Sequence, residues 1–380
     1  MRKLVHITTV AESFIFLRGQ IAFMKEQGYE IHAISSPSSL LDEFAEREGV
    51  KVYPVEMARK ITPLKDLQAL YKIQSILHQI KPDIVHAHTP KGGLLGMLAA
   101  TMARAPQRIY HMRGLPMMTA QSRKRRLLSF TEQISCTAAH QVICVGPSLR
   151  EVAIAERLCA GTKITVLGAG SGNGVDAAGL FNPARLAPDA RNARRAELGI
   201  GPDALVIGFV GRIVRDKGVF ELVEAWKSLR EGYPDLHLVV VGPFEAQDPV
   251  PAATEAVLRG DEKIHLVGYT KDTASMYATM DLVVLPTYRE GFPNVPLEAA
   301  AMELPVVATR IPGCVDAVED GVTGTLVDAR DTRALRSAIA RYLDEPELRA
   351  SHGLAGRTRV LRDFIQARIW SDLAKIYGGA

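Results

Sequence analysis

The chain reads as α/β, with two doubly wound Rossmann-like domains, on three observations. Short apolar runs of strand length alternate with longer runs of helical period along the whole sequence. A length of 380 residues with 47% hydrophobic content suffices for two ordinary domains with large cores. No short-period repeat or low-complexity tract interrupts the alternation. Strands alternating with helices imply parallel sheets covered on both faces, with any ligand in the crevice outside the carboxyl ends of the strands.

In order, LVHITTV, EIHAIS, VKVYPV, DIVHAH, QRIYHM, HQVICV and KITVLG read as the strands of the first domain. FLRGQIAFMKEQG, LQALYKIQSILHQI and GGLLGMLAATMAR read as helices between them. ALVIGFVG, HLVVVG, KIHLVG, DLVVLP, PVVATR and TGTLV repeat the scheme as the strands of the second. The glycines of GAGSGNGVD (168–176) give no G-x-G-x-x-G register, and the following AAGLFNPARLAPD is broken by prolines. A flexible linker is the reading, which sets domains at 1–170 and 171–354. The final segment, about 355–377, reads as helical.

The four cysteines (Cys136, Cys144, Cys159, Cys314) show neither C-x-x-C spacing nor a paired pattern, which argues for a reducing compartment and against a disulfide framework or zinc site. His6 and Glu12 interrupt the start too early for a signal-peptide core, and the near-apolar run 92–103 is too short to span a bilayer. A cytoplasmic protein is expected, peripheral on the inner face of the membrane if it touches one. Residues 1–170 carry 22 Lys+Arg against 13 Asp+Glu, while residues 171–380 carry 24 against 29. A basic half joined to an acidic half points the first half at something anionic: a phospholipid surface, a polyprenyl-diphosphate acceptor or nucleic acid.

Residues 285–301, LPTYREGFPNVPLEAAA, carry the densest signal. DLVVLP reads as a buried parallel strand. Pro296 and the residues after it read as the first turns of a helix, where a missing N–H costs nothing. Glu290 and Glu298 stand eight positions apart around a Gly-Phe-Pro-Asn loop. Free N–H groups at the helix start can hold a phosphate, and two carboxylates beside it can accept hydrogen bonds from sugar hydroxyls. Such a site suits a nucleotide-sugar. Arg212 and Lys217 follow the run VIGFVG on a short loop, where a fork-shaped guanidinium and a point charge can neutralise a diphosphate. A solvated basic loop is the plainer reading of that spacing, and Glu298 alone would be an acid favoured by a helix start.

This element resembles the E-x7-E motif of the retaining glycosyltransferases of family 4, whose GT-B fold sets two Rossmann-like domains facing a central cleft. The likeness continues in IGFVGRIVRDKG (207–218), which matches a strand followed by Gly-Arg-x4-Lys-Gly, in HLVGY (265–269) and in LPVVATRIPGCVDAVEDGVTG (304–324). It covers nearly the whole chain, closely in the second half and loosely in the first, and is nearest to the capsule- and lipid-linked-glycan enzymes. The resemblance implies that Glu290 contacts the donor hexose and steadies an oxocarbenium ion, and that Glu298 binds the ribose. It implies that Arg212 and Lys217 stabilise the departing diphosphate. Gly211, Gly291, Phe292, Pro293 and Asn294 would line the donor site, with Tyr269 framing the base. It also implies that the last helix, within 355–380, crosses back onto the first domain. The other main glycosyltransferase fold holds a metal with Asp-x-Asp; no Asp-x-Asp occurs here, so metal-independent chemistry without a cofactor is expected.

In the first domain, His86 and His88 lie two apart at a strand tip and so share a face. No third ligand stands at a useful spacing, so no metal is expected, and an acceptor-side or packing role for His88 stays open. In RIYHMRGLP (108–116) the chain departs from the family pattern: Arg113 stands where many relatives carry a histidine before the glycine, with His111 two residues earlier. That substitution suggests that Arg113 grips an anionic acceptor. Arg123, Lys124, Arg125 and Arg126 sit among Met117, Met118, Leu127, Leu128 and Phe130 as a solvated face or a membrane-surface patch. No aromatic stacking platform accompanies them, so nucleic acid is not expected. The expectation is a hexosyltransferase using a nucleotide-sugar, UDP-linked or similar, and a lipid-linked glycan. A nucleotide-sugar epimerase, a glycan phosphorylase and a non-catalytic nucleotide-sugar-binding subunit are the alternatives.

Overall fold

The apolar runs of the first half become β1 (Arg2–Ile7), β2 (Tyr29–Ser35), β3 (Lys51–Pro54), β4 (Ile84–His88), β5 (Gln107–Met112), β6 (Gln141–Cys144) and β7 (Ile164–Val166). Those of the second half become β8 (Val206–Val210), β9 (His237–Val241), β10 (Ile264–Gly268), β11 (Leu282–Leu285), β12 (Val306–Thr309) and β13 (Gly324–Val327). The computed structural model describes residues 1–58 and 60–378. It divides them into one unit of Met1–Asn173 with Gln366–Ala380, and another of Gly174–Ile365.

The first unit holds a seven-stranded sheet in the order β3-β2-β1-β4-β5-β6-β7, and the second a six-stranded sheet in the order β10-β9-β8-β11-β12-β13. Every strand pair is parallel. Central strands such as β8 are buried along their whole length, as continuous Val/Ile/Phe runs require when helices cover both faces. Each sheet grows outward in both directions from its first strand, so its order reverses between β1 and β4 and between β8 and β11. At such a reversal the connecting chains leave in opposite directions and open a crevice at the strand ends.

Three sequence expectations need correction. The helix expected over 16–28 divides into a 3-10 turn, Ala11–Leu17, and a helix, Gln20–Glu26. Gly19 between them has φ 76°, and a Cβ there would overlap the ring of Trp370. The glycine-rich stretch at 168–176 is no loose linker. Gly170 to Val175 are buried, Ser171 N donates to Val145 O (2.7 Å), and Val175 N donates to Phe364 O (2.9 Å). The expected helix near 355–377 is two helices, Pro346–Asp363 and Gln366–Gly378. Buried Phe364 ends the first by packing on Phe292, ring centroids 5.6 Å apart. The segment belonging with the first unit therefore begins at Gln366, not 355, and residues 379 and 380 lie outside the described ones.

A buried arginine fastens the second unit. Arg195, on the helix Ala190–Glu197, donates to the carbonyls of Thr279 (3.0 Å), Pro202 (2.8 Å) and Ala204 (2.8 Å) and to Asp281 Oδ2 (3.0 Å). The same carboxylate oxygen accepts from Val206 N at the start of β8 (2.7 Å). Removing one partner of a buried pair leaves the other charged and unsolvated. Arg195→Met should therefore destabilise this unit by about 3–5 kcal/mol, read as a lowered urea midpoint, while a change at the exposed Arg333, Arg333→Met, should cost a small fraction of that.

Candidate active site

The reversal between β8 and β11 brings together two loops of the second unit. After β8, Gly211-Arg212-Ile213-Val214 leads into the short 3-10 turn Arg215–Lys217. After β11, Thr287 to Pro293 lead into the helix Asn294–Ala301. That helix begins two residues earlier than Pro296, because Pro293 serves as its N-cap in extended conformation. Lys217 Nζ donates to Glu290 Oε1 in a close ion pair, with side chains 18% and 13% exposed. The cation expected at the diphosphate and the acid expected at the hexose therefore touch.

Backbone and side-chain bonds hold that contact in place. Asp216 O accepts from Tyr288 N (2.9 Å) and Thr287 Oγ1 (3.2 Å), and Asp216 Oδ2 accepts from Arg289 Nη2 (3.1 Å). Asp216 N donates to Asp248 Oδ2 (2.9 Å). Gly218, φ 68°, lies against the Pro286 carbonyl, where any Cβ would overlap the oxygen. Neither Asp216 nor Arg289 stood out in the sequence. The only hint was their place beside Lys217 and Glu290, and pairing depends on which strands are neighbours.

The other expected donor-side residues are placed differently. Arg212 does not contact Glu290: its Nη1 donates to Glu245 Oε2 (2.7 Å), in a pair whose arginine side chain is 51% exposed. Such an exposed pair exchanges partners at little cost. Glu298 lies in the second turn of its helix, too deep for the helix-start role, and accepts from Tyr277 OH (2.8 Å). Burial raises its carboxyl above the ordinary range, and the Tyr277 hydrogen bond only partly offsets this. Tyr269 is 71% exposed, and among the described residues no hydrogen bond or ring contact joins it to the other candidates. Gly211 precedes Arg212 with φ 151°, and Gly291 is buried with its carbonyl against Gly313.

In the first unit, strand register assembles an array that spacing alone could not show. His6 on β1 lies opposite His86 on β4, and His88 on β4 lies opposite His111 on β5. All four imidazoles are buried, with ring centroids of His86 and His88 4.1 Å apart and of His86 and His111 5.3 Å apart. Arg113 Nε donates to His88 Nδ1 (3.2 Å), His6 Nδ1 lies 3.0 Å from His88 Nε2, and Tyr377 OH lies 2.6 Å from His86 Nδ1. Ring nitrogens of His6, His86 and His88 lie within 4.8 Å of one another, so His6 is the third ligand the sequence reading found missing. Their chemistry opposes a metal even so. Arginine can only donate, so His88 Nδ1 must present its lone pair and Nε2 its proton, which turns that proton toward His6. A cation would also sit beside the Arg113 guanidinium.

Burial, reinforced by Arg113 and by the rings on one another, depresses all four histidines, His6 to about 3. The folded unit thus keeps them neutral while an unfolded chain takes up protons below about 6.5. Their stabilising effect is complete above that pH and is lost as the pH falls toward the folded values. Urea midpoints should hold level from about pH 8 to 7 and fall steadily from about 6.5 to 5. The slope should correspond to more than one proton, and His111→Phe should make it shallower.

Two parallel-sheet Rossmann-like units, one carrying paired acids and cations at its point of strand reversal, define a glycosyltransferase of the GT-B fold class. Residues 204–345 match the family model for glycosyl transferases group 1, and residues 5–146 the model for glycosyl transferase 4-like domains. The chain is 35% identical over 377 residues to the capsular polysaccharide biosynthesis glycosyltransferase CapM of Staphylococcus aureus, covering 99% of this chain and 97% of that one. It belongs to glycosyltransferase family 4. An Escherichia coli UDP-Gal:alpha-D-GlcNAc-diphosphoundecaprenol alpha-1,3-galactosyltransferase is 26% identical over 332 residues, 87% of this chain and 84% of that one. Among solved structures, Anabaena HepE in complex with UDP and glucose superposes over all of both chains with a TM-score of 0.83 at 20% identity.

Proposed function

We propose that this protein is a retaining hexosyltransferase that uses a UDP-linked sugar and a polyprenyl-diphosphate-linked glycan in capsule-type polysaccharide assembly. The contact between Lys217 and Glu290 at the β8–β11 reversal carries the reading. A departing nucleoside diphosphate gains negative charge in the transition state, and a fixed ammonium beside the reacting sugar stabilises that charge without reorganising. Arg212, released from its exposed pair with Glu245, adds a bidentate grip, and the free N–H groups of the helix Asn294–Ala301 add dipoles. These groups supply what a divalent ion supplies elsewhere, so the reaction runs without one. Glu290 steadies positive charge on the anomeric carbon, and Glu298, held by Tyr277, receives the ribose hydroxyls. The donor phosphate takes the acceptor proton in a front-face attack on the anomeric carbon.

The acceptor reading draws on the names of relatives, two of which are named for diphosphoundecaprenol-linked sugars. It also draws on the helix Ser122–Ala138, which buries Glu132, Ser135 and Cys136 and exposes Arg123, Lys124, Arg126, Leu127 and Phe130. Arg125 on the same helix pairs with Glu156 (2.7 Å). No helix among the described residues is long and apolar enough to cross a membrane. Surface contact at the inner leaflet through this helix would bring the unit to a lipid-borne substrate.

Lys217→Ala and Glu290→Ala should each lower turnover by about 10²–10³, measured as UDP release on a lipid-linked acceptor, and EDTA should leave the wild-type rate unchanged. Normal turnover in both variants removes this mechanism. Product from donor alone would instead mark an epimerase, and donor binding without turnover a binding subunit. Arg123→Gln/Lys124→Gln/Arg126→Gln should weaken sedimentation with phosphatidylserine vesicles by about 100-fold, on the basis of about 1 kcal/mol per basic side chain.

A further inference from the structure

The first unit contains a cation without a counter-ion. Arg113 follows β5, beside the reversal between β1 and β4, and is largely withdrawn from solvent. Its Nε donates to His88, its Nη1 reaches Gly172 O at a long 3.4 Å, and its Nη2 is buried without a partner. The guanidinium carbon lies 4.9 Å from the centroid of the Phe16 ring. Among the described residues it makes no ion pair, and no carboxylate acts on it. Burial accordingly lowers its proton affinity to about 9, with only Tyr377 opposing.

Buried charges are ordinarily paired, because leaving one unpaired costs several kcal/mol. Here the surroundings hold the charge in position instead of neutralising it. The neutral His88 accepts from it and passes its own proton toward His6, leaving His6 Nε2 as a further buried donor without an acceptor. His86 Nε2 and both nitrogens of His111 are also unpartnered. Gly172 leaves room for the guanidinium, since a Cβ there would overlap Arg113 Nη1. An oriented fork of donors, short of acceptors and at the carboxyl end of a parallel strand, is complementary to an oxyanion.

We propose that Arg113, oriented by His88 and His6, binds a carboxylate or phosphate oxyanion of the acceptor in the first unit. The identification of that ligand as the acceptor rests on the transferase reading above; the anion site itself does not. Two sources present this chemistry: the diphosphate of a lipid carrier, and the carboxylate of an acidic sugar within the glycan.

Titration calorimetry with farnesyl diphosphate and, separately, methyl glucuronide tests the site, with saturating UDP present so that the donor site is closed to either probe. At least one probe should bind the wild type and bind Arg113→Gln about tenfold or more weaker, as loss of a charge-assisted hydrogen bond requires, with UDP affinity unchanged. Loss confined to farnesyl diphosphate assigns the carrier, and loss confined to methyl glucuronide assigns an acidic sugar. Equal binding to wild type and variant, or no binding of either probe to the wild type, overturns the proposal. If Arg113→Gln does not fold, Arg113→Lys decides: it keeps the charge and loses the fork, so binding should fall several-fold, and unchanged binding overturns the proposal. Calorimetry needs no turnover. Anion binding that depends on Arg113 in a protein that transfers no sugar refutes the transferase reading alone, and transfer without such binding refutes this site alone.

Discussion

An ammonium and a carboxylate from segments 73 positions apart meet in the second unit, and the proposed transfer rests on that meeting. The two come together because β8 and β11 are neighbours in a sheet that grows outward from β8. The loops after these strands leave in opposite directions, yet Asp216 fastens one to the other through its carbonyl and its carboxylate. A charge pair fixed in this way has already met the cost of orientation before any ligand arrives. That is the condition under which electrostatic stabilisation of a transition state is most effective.

The first unit solves a different electrostatic problem. Four imidazoles and a guanidinium are packed at the ends of β1, β4 and β5, where burial makes charge expensive. The imidazoles respond by remaining neutral, and only the arginine keeps its charge. Tyr377, on the helix Gln366–Gly378, touches His86, so the last residues of the chain complete the environment of residues near its start.

Much of this was legible before any coordinates. Eleven of the thirteen described strands lie within the apolar runs read from the sequence, and β1 and β2 begin two residues and one residue before theirs, because a strand buried on both faces leaves a continuous hydrophobic signature. Lys217 and Glu290 stood out for a related reason: each follows such a run, after β8 and after β11, and the two prove to touch. The histidine array was not. Its members lie up to 105 positions apart (His6 to His111), and only the strand register sets them side by side. Tyr277, Asp216 and Arg289 were missed because a side chain's partner depends on neighbouring strands and helices, which periodicity does not report. The engagement of Arg212 with Glu245 was not legible either, because it follows from the path of the chain after β9. At Gly19 the backbone turns left-handed, and the ring of Trp370, 351 positions away, leaves no room for a Cβ there.

Gly218 and Pro286 place backbone directly against backbone next to Lys217, with no side chain between them. Any residue larger than glycine would push the two loops apart and separate Lys217 from Glu290. The approach of the two loops at this point is therefore limited by main-chain atoms. A lineage built on this scaffold could vary the side chains of both loops widely, while position 218 stays closed to anything larger than glycine.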